Sequence, residues 1–412
     1  MISINLILKN KSYLLFWISS IISEFGSRIQ SSAMIWYIYL ETRSAIALGA
    51  MAIIETLPAL LFTLKSGSFT EKHKEQNLYL YGEICNVVVA LLIFIVVLIG
   101  GKYLYFVIAL LFIKNSIEVV CKPSKTLLTY SITEKEDISQ AIAANSLIGN
   151  LSKIFGPPLA GILFSLVNPA FCFLINAMSY LPFIFLQRYF KIINPPKNVG
   201  SNEGRKVDIK STYNYILKRK ELAQVLLFLL IVCMFMFNYS IIIPVIANDI
   251  LKLGALDFGL IYTMNGIGNV VGNTITMHKN KKRKINTYNR NILFILATTI
   301  AIIYIGISQS KIYGLTLLLF FITGAVNSSF QITASATIQN IVHDDYRARV
   351  TAAYSFVCSG IGPFARLHVS LLIYIFNPSL ALFIQGSIAI VCLIFAFIFG
   401  KNIKKIKDTK MI

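Results

Sequence analysis

The chain has 412 residues, a formal net charge of +20, 56% hydrophobic and 14% charged residues, and a mean hydropathy of +0.70. A water-soluble domain of this length has no use for so much apolar surface, so a soluble enzyme or binding module is excluded and a multi-span membrane protein is expected. The positive charge does not mark a nucleic-acid binder, because the basic residues fall in alternate loops between apolar runs, and anionic lipid headgroups account for HKNKKRK.

Apolar stretches of about twenty residues, each long enough to cross about 30 Å of hydrocarbon as a helix, predict spans near 14–37, 46–65, 78–99, 103–122, 141–165, 169–188, 222–245, 257–277, 291–309, 312–340, 350–375 and 379–399. That makes an all-α membrane protein of twelve helices, six in each half. The basic loops place both termini and the 191–221 linker in the cytoplasm, between a bundle at 1–190 and a second at 222–412. No cleavable signal peptide is expected, since residues 1–12 are polar and basic and the first apolar run is too long for one.

Span 1 carries Glu24 and Arg28, four apart on one helix face near the bilayer centre. Ionised groups at that depth are costly and belong beside a wet cavity or another helix. Span 2 adds Glu55, an acid in apolar surroundings and a candidate proton carrier. Span 4 carries Lys114, Glu118 and Lys122 as a ladder at four-residue spacing, predicted to line a polar surface.

In span 5, NSLIGNLSKIFGPPLAG sets Asn145, Gly149, Ser152 and Gly156 on one face, smooth enough for another helix to approach closely. Lys153 is expected on the same side, and Gly156-Pro157-Pro158 removes two amide donors and invites a bend. The motif returns about 206 residues later as AAYS and then Gly362-Pro363, and two copies of one kinked helix suggest two halves that move against each other.

The region 189–221, with Pro195-Pro196 and NVGSNEG, is the one linker, with a short surface helix expected around STYNYILKRK. Span 7 offers Asn238 and Tyr239, and span 10 offers Asn327 and Gln331. Span 8 has a small and polar face with Asn265, Gly268 and Gly272, for which close packing is expected. With Arg366 in span 11, the predicted intramembrane cations are Arg28, Lys114, Lys153 and Arg366, against the carboxylates Glu24, Glu55 and Glu118. An excess of cations favours a solute with negative charge or many carbonyl oxygens. Six scattered cysteines and four dispersed histidines show no metal-ligand spacing, and no Walker loop, nucleophile elbow or zinc motif occurs. No enzyme activity, metal or cofactor is expected.

FIKNS at 112–116 matches FITGA at 321–325, and ITEKEDISQAIAANS matches VHDDYRARVTAAYS, each ahead of a Gly-Pro. Parallel repeats of this kind are a transporter architecture with the solute site near the midplane. FWISSIISEFG, TRSAIALG, LPALL, KPSKTLLTYSITEKEDISQAIAANS, GPPLAGIL, IPVIANDIL and IVHDDYRARVTAAYSFVCSGIGP together resemble the major facilitator superfamily, in its branch of bacterial exporters that includes the enterobactin exporter and the macrolide efflux pumps. The resemblance implies alternating access in the bacterial cytoplasmic membrane, with protons, lipids and a small-molecule substrate as partners and a monomer as the working unit. It further implies a gating motif at Gly67, Glu71 and Lys72, where Glu75-Gln76 replaces the family's basic pair, together with Gly156, Pro157, Arg347, Arg349, Gly362 and Pro363. The family's acid after the span 1 glycine is absent, since Ser27 follows Gly26. The reading is proton-coupled export of a siderophore-like, oxygen-rich or anionic metabolite. Multidrug or macrolide efflux, solute import and a membrane sensor without flux stand as alternatives.

Overall fold

Helix α1, Lys11–Thr42, starts where the Asn10 side chain accepts a hydrogen bond from the Tyr13 amide, satisfying one of the donors a helix start leaves unpaired. It stops where Arg43 turns into the left-handed region at φ 48°, its N–H closing on Tyr39 O. The computed structural model describes residues 10–71, 74–100, 103–193, 209–282 and 290–401, and no strand occurs among them.

The further helices are α2 (Ala45–Glu71), α3 (Glu75–Ile99), α4 (Leu104–Ser131), α5 (Ile138–Leu166), α6 (Ala170–Ser179), α7 (Leu181–Leu186), α8 (Ile209–Lys218), α9 (Lys220–Met236), α10 (Tyr239–Val245), α11 (Ala255–Lys282), α12 (Arg290–Gln309), α13 (Tyr313–Ile341), α14 (Asp344–Ser355), α15 (Gly362–Ile375) and α16 (Pro378–Lys401). Among the described residues, ten stretches are long and apolar enough to cross a membrane. The expected first and eighth spans are not among these ten, although α1 and α11 have 32 and 28 residues. Charge and serine in α1, and glycine and asparagine in α11, hold down their hydropathy. Leu60, Ile99, Phe106 and Phe395 are more than half exposed, an outer surface made for hydrocarbon rather than water.

The chain divides into two units: Met1–Arg43 with Ile53–Asn202 and Gly254–Leu260, and Ser44–Ala52 with Glu203–Leu253 and Ile261–Ile412. In the first, α1 packs on α5 and α6, and α3 packs on α4 and α6. In the second, α9 packs on α15 and α16, and α12 packs on α13 and α16. Counting by span, these are the same four pairings in each unit, so the duplication seen in the sequence is a duplication of packing.

One end of the first unit is closed by an aromatic cluster of Tyr13, Phe16, Tyr79, Phe183 and Phe190, with the Tyr79 and Phe183 rings 4.5 Å apart and edge-on. Asn10 Nδ2 donates to Ile132 O at 2.8 Å and Tyr13 Oη to Ala141 O at 3.1 Å, tying the start of α1 to the residue that follows α4 and to the first turn of α5.

The two Gly-Pro sites differ. Helix α5 runs unbroken through Pro157 and Pro158. Ahead of Gly362 the backbone widens into a π-helix over Phe356–Gly360, and α15 then begins with proline in its first turn, where a missing N–H costs nothing. A second π-helix, Ile246–Ile250, follows Pro244 of α10.

Candidate functional site

In the first unit α1 sets Glu24 and Arg28 one turn apart, with Arg28 Nη2 3.4 Å from Glu24 Oε1. Helix α4 brings Lys125 Nζ to 3.8 Å from the other oxygen, Glu24 Oε2. One carboxylate therefore holds two cations from two helices. Lys125 escaped the sequence reading, yet it stands seven residues after Glu118 and so shares its helix face.

Further along α4, buried Lys114 hydrogen-bonds Glu118, whose side chain is 42% exposed. Of the expected ladder, this pair forms, and Lys122 is exposed. Glu55 of α2 is half-buried and lies in the field of Lys114. Lys153 is exposed beside buried Ser152 and Gly156, and it lies in the field of Arg28 and Glu24. The small-residue face of α5 is used unevenly. A Cβ on Gly156 would lie 2.5 Å from Arg28 Cβ, whereas nothing lies within 4 Å of one on Gly149.

Two parts of this unit were missed from sequence. The first is a buried polar network in which Asn176 Nδ2 donates to Gln30 Oε1 and, at 3.2 Å, to Tyr180 Oη, while Ser27 Oγ lies 3.2 Å from Tyr180 Oη. The second is Glu83 of α3, 4% exposed, whose Oε2 has no hydrogen-bond partner among the described residues. Its signal in the sequence was an acid five residues inside a predicted span.

In the second unit Asn327 Nδ2 donates to Tyr239 Oη, and Asn265 Nδ2 donates to Phe320 O at 3.2 Å. Asn238 is fully buried and donates to Met234 O at 3.1 Å, leaving its own oxygen unpartnered among the described residues, as is that of Asn327. Gln331 is half-buried on α13. Arg366 Nε donates to Gly362 O at 3.3 Å, across the first turn of α15.

Among the gating residues, Gly67 and Glu71 fall in the last turns of α2, and Lys72 lies outside the described residues, as does the Arg347 side chain. Arg349 of α14 stands over the Tyr346 ring at 5.6 Å, and that ring stacks on Tyr215 of α8 at 4.0 Å. Arg219 Nη1 donates to Ile341 O at 2.8 Å and the Tyr215 hydroxyl accepts from the His343 amide at 3.0 Å, so the linker helix is fastened to the turn between α13 and α14. No group of metal-ligating side chains occurs among the described residues.

The profile of the transmembrane secretion effector family matches residues 6–370. The chain belongs to that family. Its sequence is 22% identical over 397 residues to the staphyloferrin A transporter of Staphylococcus aureus, covering 95% of this chain and 97% of the relative. Its fold is similar to the crystal structure of the nucleoside transporter NupG, at a TM-score of 0.74 and 13% identity over 95% of this chain and 99% of that one. It is also similar to the crystal structure of a bacterial homologue of the iron transporter ferroportin in its inward-facing state, at a TM-score of 0.71 and 13% identity, covering 95% of this chain and 98% of that one. The protein is thus a multi-pass membrane transporter of the major facilitator type, not an enzyme. The expected superfamily and the all-α membrane-transporter fold are borne out, with ten of the twelve expected spans long and apolar enough to cross a membrane among the described residues.

Proposed function

We propose that this transporter exports a siderophore-like metabolite, rich in carboxylate or carbonyl oxygen, from the cytoplasm in exchange for protons. The observation that carries the reading is the match, over 95% of the chain, to a protein named for staphyloferrin A transport. The charge pattern supplies the donors such a solute needs: Arg28, Lys114, Lys125 and Lys153 stand among Glu24, Glu55, Glu83 and Glu118 in the first unit, and Arg366 adds a cation in the second. Such cations bind ionised and carbonyl oxygens with charge-assisted hydrogen bonds. Carboxylates held beside them in a low-dielectric setting trade a proton against a cation, the coupling an exchanger needs. Both termini lie in the cytoplasm in this reading, and the working unit is a monomer.

The test is transport of radiolabelled staphyloferrin A in membrane vesicles under an imposed proton gradient. Export predicts accumulation in inside-out vesicles, abolished by a protonophore and by Arg28→Gln or Arg366→Gln. Accumulation in right-side-out vesicles alone identifies an importer. Movement of ethidium and erythromycin that survives both substitutions identifies a drug pump, and no flux of any probe identifies a sensor.

A further inference from the structure

We infer that Glu83 is the proton-binding residue of the first unit, and that Lys114 changes partner from Glu118 to Glu83 when the proton leaves. The inference rests on the transport reading above and names the side chain through which that reading couples to protons.

Glu83 lies on the buried face of α3, 4% exposed, with Oε2 sealed from solvent and without a hydrogen-bond partner among the described residues. The helices are close at this level: a Cβ on the preceding Gly82 would lie 2.4 Å from Cys121 Sγ of α4. Glu83 lies in the field of Tyr79 on its own helix, which also hydrogen-bonds it, of Lys125, Glu118, Lys114 and Cys121 on α4, and of Tyr180 between α6 and α7. No ion pair within 4.0 Å joins Glu83 to a cation among the described residues, because Lys114 is committed to Glu118 and Lys125 to Glu24.

An ionised carboxylate at this depth demands a cation or several donors, while a protonated one demands neither. The arrangement described, with Lys114 on Glu118 and one Glu83 oxygen bare, is the one that fits a protonated Glu83. When the O–H bond breaks and the proton passes to water, the new charge needs a partner. Of the two α4 cations near Glu83, Lys114 is the one buried with it, at 5% exposed, whereas Lys125 is about a third exposed and keeps its contact with water. Glu118 is 42% exposed, so water takes over the bonds Lys114 gives up. Lys114 keeps its own proton throughout, and the move shifts one hydrogen bond from within α4 to the α3–α4 contact. The charge state of a single acid thereby alters helix packing, which is what a proton-driven rearrangement requires.

The test has two arms. In the first, purified wild type is titrated and the infrared carbonyl stretch of protonated carboxyl groups is followed. A band that vanishes on deprotonation is expected in wild type and in Glu118→Gln, and its loss is expected in Glu83→Gln. In the second, proteoliposomes are loaded with staphyloferrin A. Glu83→Gln is expected to keep exchange of labelled for unlabelled solute and to lose accumulation driven by an imposed proton gradient, with Glu83→Asp restoring it. Glu83→Asp also serves should the glutamine variant not fold. Gradient-driven accumulation in Glu83→Gln overturns the inference, and so does an unchanged infrared band. Should wild type carry no staphyloferrin A, the functional reading fails and the infrared arm decides Glu83 by itself.

Discussion

Arg28 and Gly156 meet where α1 crosses α5, at a separation that leaves no room for a methyl group: a Cβ on Gly156 would stand 2.5 Å from Arg28 Cβ and 3.4 Å from Arg28 C. The glycine therefore sets the depth at which a membrane arginine is held. Gly156→Ala is expected to lower stability by about 1–3 kcal/mol, the usual range for overpacking, read as a fall in the unfolding midpoint of the detergent-solubilised protein. Gly149→Ala, seven residues earlier on the same face and open around its Cβ, is the control and is expected to leave that midpoint unchanged or slightly higher.

The Glu24–Lys125 pair joins α1 to α4 with both side chains about a third exposed. Its direct contribution to stability is accordingly small, on the order of 0.2–1 kcal/mol by double-mutant cycle. Lys125→Gln is expected to reduce solute transport strongly while moving the unfolding midpoint little. Lys122→Gln, which changes an exposed lysine, is expected to alter neither. Equal transport in the two variants would remove Lys125 from the site.

Tyr215 and Tyr346 stack with ring planes 4° apart. A pair in this geometry contributes about 0.5–1.5 kcal/mol beyond its buried area. Tyr215→Ala is expected to release α8, so that trypsin cleaves faster after Lys218, Arg219 and Lys220. Tyr215→Phe keeps the stack and loses the acceptor for the His343 amide at 3.0 Å, so an intermediate rate is expected.

Helices α11 and α13 interlock through glycines on both sides. A Cβ on Gly268 would lie 2.0 Å from Phe321 O, and one on Gly324 would lie 2.1 Å from Asn265 O. These obstacles are backbone, which has no rotamer to turn aside. Gly268→Val is expected to cost about 3 kcal/mol or more and to show as loss of the monodisperse peak on size-exclusion chromatography, with Gly306→Ala, where the nearest atoms are 3.8 Å away, as the tolerant control.

Gly268 and Gly272 were expected to pack closely and do, because a small residue permits approach whatever its partner is. Glu24 and Arg28, set on one helix face, form a pair, and Lys114 and Glu118, read as part of a ladder, form another, because four-residue spacing is a property of one helix. Lys153 stands exposed in the field of Arg28 and Glu24, an environment that spacing along one helix does not reveal. Glu83 was passed over, since an acid near the end of an apolar run looks the same whether it meets headgroups or the inside of a bundle.

By itself the sequence determined the membrane class, the helical content and the duplication, because hydropathy, helix period and repeated motifs are properties of a strand of residues taken alone. Only the tertiary structure decided that Glu24 meets Lys125 across 101 positions, that Gly156 and not Gly149 carries a helix crossing, and that Glu83 is sealed from solvent. The physical reason is that the rotation and depth of each helix are set by the neighbours it packs against, and a periodicity of 3.6 residues names a face without saying what that face will touch.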